Sequence, residues 1–125
     1  MKQLWFLCLL GLNACSSAPD TFGKLDVQRW RADRNGCNSI RLTMLDALKA
    51  EQQNLKGKSA NEIGDLLGRP DVNQLADRNQ KFYVYFLAKG PQCEQPGSRS
   101  SAPTVALRMS AMGVVTEVTY QNGMP

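Results

Sequence analysis

The side chains able to do chemistry in this chain are few, and their spacing argues against catalysis. There is no histidine, which removes Ser-His-Asp and Cys-His nucleophilic catalysis and the commonest metal ligand. The acidic residues are scattered, and no two sit together in an apolar setting of the kind a glycosidase pair requires. Asp71-x-Asn73 and Asp77-x-Asn79 lack the remainder of a calcium loop. Gly57-Lys58-Ser59 echoes the end of a phosphate-binding loop, but the earlier glycine and the preceding strand are missing, so a helix start is the better reading. Four cysteines are present, at Cys8, Cys15, Cys37 and Cys93, without a CxxC pair, so a thioredoxin-like redox role has no support. The expectation is a protein that is not an enzyme and has no cofactor, no metal site and no small-molecule substrate.

The first seventeen residues carry a different kind of chemistry. Lys2 gives a positive start, Leu4 to Leu12 is an apolar run broken by Gly11, and Ala14 stands just before Cys15. That is the layout of a secretory signal, and the run is too short to cross ~30 Å of hydrocarbon as a permanent helix. Leu12-Asn13-Ala14-Cys15 resembles the lipobox of bacterial lipoproteins. The resemblance implies cleavage before Cys15, diacylglycerol on its sulfur and an acyl chain (palmitate) on its new amino group. In that system an aspartate after the lipidated cysteine favours inner-membrane retention. Ser16 stands there instead, which points to the periplasmic face of the outer membrane. The expected organisation is a signal peptide at 1–14, a lipidated tether at 15–21, a domain at 22–120 and a frayed tail at 121–125.

An oxidising compartment fixes the reading of the other thiols. Cys8 leaves with the signal and Cys15 carries lipid, so Cys37 and Cys93 remain as an even pair, read as one disulfide. The alternative is two buried, unpaired thiols. Without Lys2, 14 basic side chains face 11 acidic ones. Arg29, Arg31 and Arg34 form one mild cluster and Lys56 with Lys58 another. Both read as solvated faces, able at most to supplement an anchor at anionic headgroups. Basic and aromatic residues do not interleave, so no nucleic-acid partner is expected.

The elements that must hold these residues follow from periodicity. Phe22 to Trp30 reads as a short helix or turn, followed by the turn cluster Asp33-Arg34-Asn35-Gly36. From Asn38 to Leu55, Ile40, Met44, Leu45, Leu48 and Leu55 mark one helix with a buried stripe, capped by Asn38 or Ser39. Ser59-Ala60-Asn61-Glu62 fits a capping box. Ile63, Leu66 and Leu67 form the stripe of the helix it opens, and Gly68 and Pro70 stop it. Lys81 to Leu87 is a strand. Phe82, Val84 and Phe86 are assigned to its core face, leaving Tyr83 and Tyr85 as a candidate protein-interaction surface. Val72 to Leu75 is a shorter partner strand, Gly90 to Pro103 a long loop, mobile outside Cys93, and Thr104 to Met109 and Val114 to Tyr120 a hairpin turning at Ser110–Gly113. The fold class is α+β, with two helices packed on a three- to four-stranded antiparallel sheet.

Gly57-Lys58-Ser59, the capping-box helix, Leu67-Gly68-Arg69-Pro70, the aromatic strand and the hairpin through Gly113-Val114-Val115 together resemble the SmpA/OmlA (BamE-like) outer-membrane lipoprotein family. The resemblance spans roughly Leu55 to Tyr120. It implies two helices on a three-stranded antiparallel sheet and a non-enzymatic role at the inner face of the outer membrane. The family's namesake is an accessory subunit of the machine that inserts β-barrel proteins. Envelope proteins, including subunits of that machine, are therefore the expected partners. Related architectures include stress lipoproteins and β-lactamase inhibitors, so an inhibitor or stress sensor using the Gly90–Pro103 loop as its probe is the alternative. The longer Phe22–Leu55 region and the Cys37/Cys93 pair depart from the family pattern, and no partner-binding residues carry over.

Overall fold

The computed structural model describes residues 18–125. Chain order is β1 (Thr21–Phe22), β2 (Leu25–Asp26), α1 (Val27–Ala32), a 3-10 turn at Arg34–Gly36, α2 (Ile40–Thr43), α3 (Leu45–Leu55), α4 (Ala60–Leu67), β3 (Val72–Leu75), β4 (Lys81–Phe86), a 3-10 turn at Pro91–Cys93, β5 (Pro103–Met109) and β6 (Val115–Asn122). The last four strands form an antiparallel meander in the order β3-β4-β5-β6, and β1 pairs with β2 in a separate two-stranded ribbon. The fold is α+β. No helix among the described residues is long and apolar enough to cross a membrane.

The capping-box helix α4 forms as its local sequence dictates. Ser59 Oγ accepts from the Glu62 amide at 3.2 Å while the Glu62 carboxylate accepts from the Ser59 amide at 2.8 Å. Those bonds favour the ionised carboxylate, so Glu62 titrates below the usual glutamate value. Gly68 ends the helix at φ 82°, ψ 177°, a region that in practice only glycine occupies. Ser59→Ala is expected to lose about 1 kcal/mol of stability. It should also move the Glu62 midpoint part of the way back toward the ordinary 4.5 in an NMR carboxyl titration, because the amide of residue 59, which makes the larger contribution, is kept. Because the folded value is the lower one, the contribution is present above the unfolded pKa and fades as pH falls through the folded one.

The region expected as one helix from Asn38 to Leu55 is two. Met44, at φ −101°, ψ 10°, ends α2 and starts α3, its amide bonding the carbonyls of both Arg41 and Leu42. Neither Asn38 nor Ser39 caps α2. Ser39 lies in the left-handed region at φ 55° and makes no capping bond. Asp33 does the work from five to eight residues upstream, accepting from the amides of Asn38, Ile40 and Arg41 at 2.8, 2.8 and 3.1 Å.

The face of β4 turned to the helices is also the opposite of that expected. Tyr85 and Leu87 join Val105, Leu107, Met109 and Val118 in the core under Trp30, Leu48, Ile63 and Leu67, with Tyr83 packed at its edge. The reason is that both alternating sets of β4 are apolar, so composition cannot rank them. Val84 and Phe86, on the other face, are buried as well, together with Ala106 and Thr104. Residues 123–125 fold back over that face rather than fraying: Thr104 Oγ1 donates to the Gly123 carbonyl at 2.7 Å and Gln74 Nε2 to the Pro125 carbonyl at 3.2 Å. The tether expected to run to residue 21 is shorter too. The Pro19 carbonyl accepts from Arg31 at 2.9 Å, the Asp20 carbonyl from the Gln28 amide at 3.3 Å, and Thr21 opens β1.

Candidate functional site

One end of the sheet gathers most of the buried polar groups. Arg41 is completely buried, the one buried residue of α2. Its Nη1 lies 2.8 Å from Asp71 Oδ2, and both side chains are shielded from solvent. The pair brackets the backbone of Phe86 at the end of β4. Asp71 accepts from the Phe86 amide at 2.8 Å, and Arg41 Nη1 donates to the Phe86 carbonyl at 3.1 Å. Arg41 Nε donates to the Trp30 carbonyl at 3.0 Å, which ties in the end of α1. The guanidinium carbon lies 4.9 Å from the Trp30 ring centre and 5.6 Å from that of Tyr85. Among the described residues Arg41 Nη2 has no hydrogen-bond acceptor, and the two aromatic faces supply cation–π attraction to the guanidinium. Burial lowers the Arg41 pKa, and the nearby Asp71 charge opposes the shift. Arginine still keeps its proton throughout the working range.

The 3-10 turn at Arg34–Gly36 is pressed against this pair. Asn35 donates its amide to Asp71 Oδ1 at 3.1 Å. Gly36 has φ 66° and approaches β4 so closely that a Cβ there would lie 2.6 Å from the Phe86 carbonyl oxygen. The disulfide Cys37–Cys93, with Cα atoms 5.7 Å apart, joins this turn to the loop after β4. Gln92 reinforces the join: its Nε2 donates to the carbonyls of Asn35 and Ala88 at 3.0 and 2.9 Å, and its Oε1 accepts from the Ser100 hydroxyl at 2.6 Å. Part of the loop expected to be mobile is therefore anchored beyond Cys93.

These elements enclose a cavity of about 360 Å³, lined among others by Arg34, Asp71, Val72, Phe86, Arg99 and Met124. Arg99, Ser100 and Met124 also line an adjoining open groove that reaches Gly123. The Arg34 side chain is 46% exposed, donates to the Arg69 carbonyl at 2.8 Å and lies 3.9 Å from Asp71 Oδ1. Asp71, the carboxylate in the lining, is engaged by Arg41. The cavity thus offers an apolar floor (Val72, Phe86, Met124) under a cationic rim. Among the described residues that line it, none is a nucleophile with an adjacent base.

Cys15 and Ser16 lie outside the described residues. Cys37 and Cys93 are brought together. Tyr83 and Tyr85 do not form an interaction surface: Tyr85 is fully buried and Tyr83 half-buried against the core. The Tyr85 hydroxyl donates to the Gly68 carbonyl at 2.7 Å, and burial pushes its pKa up. Both tyrosines sit on the sheet face that the helices cover, and the Tyr85 tip is spent on an internal contact. Sequence reasoning missed Arg41, Asp33 and Asp71. One signal was available: Arg41 precedes Met44, Leu45 and Leu48 by three, four and seven residues, which puts a cation on the buried stripe.

Compared with known protein families, characterised proteins and solved structures, the chain matches none.

Proposed function

We propose that this chain is a lipid-anchored periplasmic interaction protein of the outer membrane, acting in β-barrel assembly or envelope integrity as BamE-like subunits do. The observation that carries the reading is the N-terminal series of Lys2, the apolar run Leu4 to Leu12, and Ala14-Cys15-Ser16. The disulfide between Cys37 and Cys93 suits an oxidising compartment. The short lead into the fold suits an anchor. From Cys15 to Pro19, whose carbonyl is already held by Arg31, four residues span at most about 14 Å. A lipidated Cys15 would keep the domain close against the bilayer and raise its effective concentration toward membrane-bound partners without a tight interface. Two or three acyl chains make such anchoring stable, whereas one gives marginal binding.

Cys15→Ser is the direct test. The wild-type protein is expected to take up an alkyne-tagged fatty acid and to sediment with membranes, its mature N-terminus showing the mass of a lipidated cysteine. The variant should lose the tag and appear in the soluble fraction. Cross-linking in intact cells should capture envelope proteins with the wild type and far less with the variant. An untagged, soluble wild-type protein would rule the anchor out.

A further inference from the structure

We infer that the Arg34/Arg99 cavity, with the free edge of β3 beside it, is a docking site for an extended peptide segment that carries an aliphatic and an acidic side chain two residues apart, on one face of the strand. This rests on the chain acting as an interaction module, and it specifies the partner's chemistry. Three observations carry it. The first is charge: Arg34 is half-exposed, and Arg99 has no ion pair or hydrogen bond among the described residues. Asp71, the acid in the lining, is held by Arg41, so the rim is left net positive and complementary to carboxylates. The second is the floor of Val72, Phe86 and Met124, which suits an aliphatic side chain.

The third is backbone. β3 is a terminal strand of the sheet, and its outer edge has no backbone partner among the described residues. The Ala76 amide bonds the Gln80 carbonyl, closing the ladder with β4. Antiparallel alternation then turns the backbone groups of Asn73 and Leu75 outward. Leu75 is 77% exposed on that edge. A lipid headgroup could use the arginines but not a row of unpaired amides and carbonyls. An added strand uses both, with alternate side chains sent toward the cavity.

The test uses the full mature protein in neutral-detergent micelles. The probe is the fluorescent hexapeptide threonine–valine–threonine–glutamate–threonine–glutamate, whose valine and glutamates share one face of a strand, with its glutamine counterpart as control. Expected are saturable binding of the glutamate peptide and binding about tenfold weaker for the glutamine peptide. The double variant R34Q/R99Q should weaken the glutamate peptide by a similar factor while leaving the circular dichroism spectrum unchanged. Amide NMR shifts on binding should concentrate at Asn73, Leu75 and the 96–100 segment. Equal binding by the double variant, shifts confined to other surfaces, or a response to phosphatidylglycerol vesicles with none to the peptide would each overturn the proposal. Lipid tagging at Cys15 and cross-linking to envelope proteins separate the two claims. If both persist while the peptide fails, the docking site is wrong and the anchored module stands.

Discussion

Asp71→Asn is expected to destabilise the domain by about 3–5 kcal/mol, the usual cost of leaving one half of a buried ion pair without its partner. A domain of this size has only ~5–15 kcal/mol in total, so the variant should approach the folding threshold at 37 °C. Arg41 is fully buried and cannot discharge by losing a proton. Without the Asp71 carboxylate the guanidinium keeps the Trp30 and Phe86 carbonyls, two aromatic faces and the weaker attraction of Asp33. An asparagine amide would also add donors where the guanidinium already supplies them. Arg41→Met should cost less, because Asp71 would retain the Asn35 and Phe86 amides and Arg34 at 3.9 Å. The double variant R41M/D71N should fall well short of the two losses added together, since neither member of the pair is then left charged without the other. Urea denaturation followed by circular dichroism checks all three. Strict additivity would show that the pair is not acting as a unit.

That node explains what was legible in the sequence and what was not. α4 was fully readable because its signals are local: Ser59, Glu62, Gly68 and Pro70 each act on neighbours a turn away. The four strands of the meander were readable from their period, and β4 from its aromatic content, whereas β1 and β2 lie where the sequence reads as a short helix or turn. Its orientation was not, since the two tyrosine hydroxyls make Tyr83-Tyr85-Leu87 look like the outer set, whereas both faces are covered and the Tyr85 hydroxyl finds the Gly68 carbonyl inside. The break at Met44 has no glycine or proline to announce it. The cap of α2 was sought next to the helix, whereas Asp33 reaches it across a turn. The cavity was out of reach for a plainer reason. Its lining comes from residues 34–35, 71–72, 86, 92, 96–100 and 124, segments that meet only after the sheet has formed.

Removing the staple should be felt almost as strongly as removing the ion pair. Cys37 and Cys93 lie 56 residues apart, and closing a loop of that length restricts the unfolded chain by about 4 kcal/mol in the chain-entropy model. For C37S/C93S, or for the wild type in reductant, that corresponds to a fall of roughly 15 °C in Tm. The loss should be uneven. α4 and the β4–β6 ladder hold together through their own contacts and should persist longest. The Arg34–Gly36 turn and the Pro91–Ser101 loop should loosen first, because without the bridge they are joined chiefly by the Gln92 bond to Asn35. Hydrogen exchange in reductant should therefore accelerate at Asn35, whose amide is held by Asp71, and at Cys93, whose amide bonds the Gly90 carbonyl, before it accelerates in β5. The wall of the cavity that carries Arg99 would move with that loop, so peptide binding should weaken at reductant levels that leave the sheet folded. An unchanged unfolding midpoint after full reduction would show that the packing of Gly36 on β4 and the Arg41–Asp71 pair already fix this end of the sheet, leaving the disulfide with no measurable share.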